Sequence, residues 1–195
     1  MDLKPYIWAG IGARKAPKHI LSKMWSISRM NAQLGRHLST GGAPGMDEAA
    51  IKGHKSITDS NLTIYIPWPN FQGYASEDRY TKNFHGYATK DKGVYVGVTE
   101  KAQEIASKYH PRWSTLTPGV KALMSRNVYQ VLGTDLQTPV NCVICWTPGG
   151  KLVGGTAQAI KIAMDHDIPV FNLANDKILN SCIKALTLSV NALEK

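Results

Sequence analysis

The sequence predicts an α/β protein, a doubly wound and mainly parallel sheet with helices on both faces. Two observations carry this reading. Short apolar runs alternate with stretches whose apolar residues recur at helical spacing, as strand–helix–strand units require. Two glycine-rich turns, at 39–47 and 147–156, each lead from such a run into such a stretch. A length of 195 residues suits one domain with a substantial core, so a single domain over 1–195 is expected.

Residues 6–12 form an apolar run ending in glycine, a good first strand. A basic turn follows, Ala13-Arg14-Lys15-Ala16-Pro17, with Pro17 where a first helical turn tolerates it. From 18 to 34, Ile20, Leu21, Met24, Ile27, Met30 and Leu34 mark a helix, and Gly35 stops it. Residues 36–40 are the second strand. The loop Ser39-Thr40-Gly41-Gly42-Ala43-Pro44-Gly45-Met46-Asp47 then opens a helix over 46–55, and 62–66 is the third strand.

The rhythm breaks between 69 and 118, which is expected to be an irregular insertion with one helix at 99–109, capped by Thr99. Nine of the sixteen aromatic residues lie between Trp68 and Trp113. From Arg79 to Arg126 nine Lys/Arg stand against Asp91, Glu100 and Glu104. Aromatic rings interleaved with cations suit a base-stacking surface. They equally suit a long segment that packs its own small core, and packing is the preferred reading.

Regularity returns with a helix over 118–133, whose stripe of Val120, Leu123, Met124, Val128, Val131 and Leu132 also carries Lys121, Arg126 and Asn127. Residues 140–146 are the most apolar strand. The second glycine turn follows, then a helix at 157–165, a strand at 168–173 and a closing helix at 176–193.

The formal charge of +9 favours a polyanionic partner or a phosphate-bearing ligand. No apolar run is long enough to span a membrane, and the N-terminus lacks the regions of a signal peptide, so a cytoplasmic protein is expected. Cys142 and Cys145 have C-x-x-C spacing, but residues three apart on a strand face opposite ways, so both are expected to pack separately. The six histidines show no metal-ligand spacing, and neither Ser39 nor Ser125 has a visible base partner. No metal, cofactor or catalytic triad is expected.

Both glycine turns have a physical reason to hold an anion. Glycine lets the backbone turn sharply and lets a ligand come close, because no Cβ intervenes. The first amides of the following helix lack intrahelical partners and carry the positive end of its dipole. In doubly wound sheets ligands collect outside the carboxyl ends of strands where the strand order reverses.

Four segments occur in order: Gly10-Ile11-Gly12-Ala13-Arg14-Lys15-Ala16, Ser39 through Ala50, Ser125-Arg126-Asn127, and Gly155-Thr156-Ala157-Gln158-Ala159. Together they resemble the Rossmann-like domain of the DNA-processing protein A family of recombination mediators. That family shows a Gly-Ser-Arg turn, a Ser-Gly-Gly-Ala-x-Gly-x-Asp loop, an Arg-Asn-Arg helix and a Ser-Gly-(Thr/Ser)-x-x-Thr-Ala loop. The resemblance spans nearly the whole chain apart from 69–118. It implies a Rossmann-like fold that binds nucleotide or single-stranded nucleic acid, and pairing into a homodimer. The two glycine turns and these motifs together give the residues expected to hold phosphate or nucleotide: Gly12, Ala13, Arg14, Ser39, Gly41, Gly42, Gly45, Asp47, Arg126, Asn127, Pro148, Gly149, Gly150, Gly154, Gly155 and Thr156.

The family sits in a wider nucleotide-binding superfamily with the lysine-decarboxylase-like nucleotide phosphoribohydrolases, recognised by Pro-Gly-Gly-x-Gly-Thr-x-x-Glu. Here Pro148-Gly149-Gly150 and Gly155-Thr156 are similar, but Ala159 stands where that glutamate would be. Val128 stands where the mediators have their second arginine. Three functions therefore remain open: a binder of nucleotide or single-stranded DNA; a nucleotide N-glycosidase using Asp47 or Glu48 as its carboxylate; and a protein that senses or sequesters a nucleotide signal.

Overall fold

The computed structural model describes residues 5–74, 87–88 and 93–193. Its core is a sheet of seven strands: β1 (Ile7–Gly12), β2 (His37–Thr40), β3 (Leu62–Ile66), β4 (Tyr87–Ala88), β5 (Val94–Val96), β6 (Cys142–Trp146) and β7 (Val170–Asn172). The spatial order is β4-β5-β3-β2-β1-β6-β7, and every pairing is parallel except β4 with β5. From β1 the chain winds outward through β2 and β3 to β5. It then crosses back to build β6 and β7 on the other side of β1. The reversal falls between β1 and β6, paired from Trp8↔Cys142 to Gly12↔Trp146.

The helices are α1 (Lys18–Gln33), α2 (Met46–Lys55), α3 (Glu100–Lys108), α4 (Pro118–Leu132), α5 (Gly154–Asp165) and α6 (Asp176–Asn191). Right-handed crossovers that run in opposite directions along a sheet place their helices on opposite faces. Accordingly α1 and α2 pack together on one face, joined by α6, while α3, α4 and α5 pack on the other. Strand alternation sorts the core into two layers. Trp8, Cys142, Ile144 and Trp146 join the first; Ala9, Ile11, Val143 and Cys145 join the second. The two cysteines of the C-x-x-C pair therefore point to opposite faces, each buried and unpaired, and burial pushes the Cys145 thiol up to about 12.

Helix ends follow local chemistry. Thr99 and Thr117 accept from the N–H groups of Ala102 and Val120, and Asn175 accepts from Lys177 and Ile178. The expected helices and strands are present, most shifted by a residue or two at their ends. The segment 69–118 differs. It is not wholly an insertion, since β5 extends the parallel sheet beside β3 and α3 packs on α4. Val94–Val96 is too short to show period-two alternation, which is why it does not read as a strand. Tyr95 joins Tyr65 and Tyr129 in an aromatic cluster on the α4 face, its ring 5.6 Å and 5.3 Å from theirs. Tyr80 and Phe84 lie outside the described residues.

Candidate nucleotide-binding crevice

At the carboxyl ends of β1 and β6, where the strand order reverses, the surface opens into a crevice of about 360 Å³. That volume is within the range of small-molecule sites. Three segments that leave strand ends reach it: Gly12-Ala13-Arg14 after β1, Ala43 and Asp47 after β2, and Pro148 with Val153 to Thr156 after β6. The fourth wall is one face of α4, with Leu123, Met124, Arg126, Asn127 and Gln130. Residues three and four apart share a helix face, which brings Arg126 and Gln130 together.

Asp47 and Arg126 form the floor. Asp47 is 3% exposed and Arg126 7%. One carboxylate oxygen accepts the Gly12 N–H and the other the Ala43 N–H, each at 3.3 Å. The second oxygen also lies 3.9 Å from Arg126 Nη1. Arg126 donates to the Gly41 carbonyl and rests over the Phe71 ring, 5.9 Å from its centroid. Burial pushes the Asp47 carboxyl up to about 6, against the pull of Arg126 and of the Ala43, Gly12 and Gly41 amides. Burial likewise lowers Arg126, opposed by Asp47 and reinforced by Arg14. The Arg126 Nε–H is buried and has no partner among the described residues.

The start of α5 is the open side. No side chain caps it, so its first amides lack the partners that an intrahelical ladder supplies. Asn127 steadies this end by donating to the Gly155 carbonyl at 3.1 Å and to Gln158 Oε1 at 3.3 Å; Gln158 in turn donates to Ala106. A Cβ at Gly155 would sit 3.5 Å from the Met124 Cε, facing the crevice wall. Arg14 is exposed at the rim.

Of the residues singled out in the sequence, the crevice gathers Gly12, Ala13, Arg14, Asp47, Arg126, Asn127, Pro148, Gly154, Gly155 and Thr156. Ser39, Gly41, Gly42, Gly45, Glu48, Gly149 and Gly150 do not line it. Ser39 is buried and donates to the Gln130 carbonyl. Gly41 leaves space for the Arg126 guanidinium, which a side chain there would displace. Gly45 has φ +89°, and a Cβ would collide with the Arg14 carbonyl, so glycine lets α2 abut the loop that carries Arg14. Glu48 pairs with Lys52 at 2.6 Å on the outer side of α2, and Gly149 and Gly150 are exposed in a single 3-10 turn. Gln130 and the apolar Leu123, Met124 and Val153 are lining residues the sequence reading missed. Helical periodicity puts Leu123 and Gln130, three and four residues away, on the Arg126 face, and Met124 three residues before Asn127.

Among the described residues no cluster of three or more His, Cys, Asp or Glu is placed to hold a metal ion, and no helix is long and apolar enough to cross a membrane.

No protein-family model matches the sequence, and the comparison with curated proteins found no match. Among solved structures the chain is similar to DNA processing protein A from Helicobacter pylori. The TM-score is 0.59 at 15% identity, covering 97% of this chain and 80% of that one. The shared property is the fold. That protein is described as having a unique single-stranded DNA binding mode. The molybdenum cofactor carrier protein from Chlamydomonas reinhardtii aligns over 95% of this chain and 99% of its own, with a TM-score of 0.38 at 18% identity. The Rossmann-like architecture predicted from the sequence is the one observed.

Proposed function

We propose that the protein binds single-stranded DNA or a free nucleotide by a phosphate held in the switch-point crevice, without cleaving it. The observation that carries this reading is the uncapped start of α5 in a crevice shared with the exposed Arg14, whose lining among the described residues contains one carboxylate, that of Asp47. Helix-start amides and a guanidinium are the donors a phosphate oxygen takes. A ring for stacking is nearby: Trp68 is 39% exposed and packs edge-to-face on Phe71, the residue beneath Arg126. The charge of +9 and the fold shared with a protein that binds single-stranded DNA favour the nucleic acid over the free nucleotide.

Fluorescence anisotropy of a labelled oligothymidylate tests this. Binding should weaken steeply with salt, as counterion release requires, and Arg14→Ala should weaken it by about tenfold, the loss of roughly 1.4 kcal/mol. Salt-independent binding, or none, would refute the DNA reading. Tight binding of a mononucleotide with indifference to single strands would instead identify a nucleotide sensor or sequestering protein.

Hydrolysis of an N-glycosidic bond is the second reading, and it rests on Asp47, whose carboxyl is raised to about 6 at the crevice wall. Both of its oxygens are engaged by backbone amides, which suits a strut better than a group that must approach a ribose. Release of base from nucleoside monophosphates, ADP-ribose or NAD, lost in Asp47→Asn, would favour the enzyme over the binder.

A further inference from the structure

A second cavity, about 430 Å³, lies away from the crevice, between α6 and the strands β6 and β7. Its walls are apolar: Ile144 and Leu186 are buried, and Phe171 is 37% exposed. Among the described residues the lining holds two cations, Arg36 and Lys177, and no carboxylate. Along α6 it runs from Lys177 to Leu186, a path of about 13 Å at the helical rise of ~1.5 Å per residue.

Arg36 is fixed before any ligand arrives. Its backbone N–H donates to the Asn31 carbonyl at 3.0 Å and its Nη1 to Asn31 Oδ1 at 3.1 Å. Asn31 is itself 1% exposed and anchored by donating to the Ile27 carbonyl. The Tyr6 ring covers one face of the guanidinium at 4.4 Å. A guanidinium held this way keeps further N–H donors and loses little side-chain freedom on meeting a carboxylate. Tyr6 also spends its hydroxyl on the Cys142 sulfur at 3.5 Å, a weak acceptor.

We propose that this groove binds a small amphipathic carboxylate, its apolar body along Ile144, Phe171, Ile178 and Leu186 and its head on Arg36. Charge complementarity selects the occupant. An apolar groove alone would take an alcohol as readily as an acid, whereas one whose described lining carries two cations and no acid favours the anion. The proposal concerns the amino end of the sheet and is independent of the phosphate crevice.

Calorimetric titration of the full chain with decanoate, decanol and decylamine tests it, with alkylation of the half-buried Cys182 in the groove wall as a second readout. Decanoate should bind at least about tenfold more tightly than decanol, as a charge-assisted hydrogen bond allows, and should slow alkylation of Cys182. Decylamine should not bind. Arg36→Gln should bring decanoate down to the level of decanol. Ala185→Trp, at an exposed position of α6, should block both ligands while the circular dichroism of the chain is retained. Equal affinity for acid and alcohol, unchanged decanoate affinity in Arg36→Gln, or no binding at millimolar concentration would each overturn the proposal. Lys177→Gln, also at an exposed position, should weaken decanoate by a smaller factor and provides the head-group test if Arg36→Gln fails to fold.

Discussion

The Asp47 carboxylate faces the Arg126 guanidinium at 3.9 Å beneath the crevice, with both side chains almost fully buried. Each is also bound to backbone: Asp47 to the Gly12 and Ala43 amides, Arg126 to the Gly41 carbonyl. The pair thereby ties the β1 turn, the β2 loop and α4 into one floor. Removing one partner leaves a buried charge without compensation, which typically costs about 3–5 kcal/mol. Arg126→Met should therefore lower stability to urea by about 3 kcal/mol. The Asp47→Asn, Arg126→Met double variant should lose less than the sum of the two single losses, since the residues share one network.

The same pair predicts a pH dependence. Burial raises Asp47 from 3.8 to about 6, so between those values the folded chain holds a proton that the unfolded chain releases. This contribution is fully present below about pH 4 and is lost as the pH rises through about 6, in total roughly 3 kcal/mol. Relative to Asp47→Asn, the wild-type protein should lose stability across that window. Burial lowers His37 and His54, which act in the opposite sense, but they are common to both proteins and cancel. A pH series of urea melts on the two proteins checks this; parallel profiles would contradict it.

Gly155 separates binding from folding. It stands in the first turn of α5, and an added methyl meets Met124 at an ordinary 3.5 Å. Gly155→Ala should fold with unchanged or slightly higher stability, because alanine favours a helix over glycine by up to about 1 kcal/mol. The methyl also narrows the approach to the α5 amides, so oligonucleotide affinity should fall by about tenfold, roughly 1.4 kcal/mol. Equal affinity would move the phosphate elsewhere.

Much of this architecture was legible in the residues. Ile20, Met24 and Ile27 recur at helical spacing and are buried in α1, and Pro118 and Gly133 bracket α4 as start and stop signals. The turn after β1, Asp47 in α2, Arg126 on α4 and the Gly154-Gly155-Thr156 turn do meet in one crevice, because each follows or faces a strand end at the reversal of order. What stayed hidden was tertiary. Asp47 sits in the first turn of α2, but nothing local shows that it accepts the amides of Gly12, at the end of β1, and Ala43, in the β2 loop. The short strand Val94–Val96 owes its conformation to pairing with Ile64–Ile66, a contact that short-range periodicity does not encode.

Cys142 and Cys145 make the strand geometry testable in solution. Because their side chains lie in different core layers, oxidation should give no disulfide between them, and peptide mapping after treatment with diamide should recover both as unlinked thiols. A 142–145 cross-link would require β6 to be something other than a strand buried on both faces.

The most direct test of the central claim is amide hydrogen exchange at residues 154–156, with and without saturating oligothymidylate. If α5 presents its free amides to a phosphate, Gly154, Gly155 and Thr156 should gain protection on binding, and Arg14→Ala should reduce that gain. Protection confined to other surfaces, with these three amides exchanging at the same rate in both states, would contradict the account.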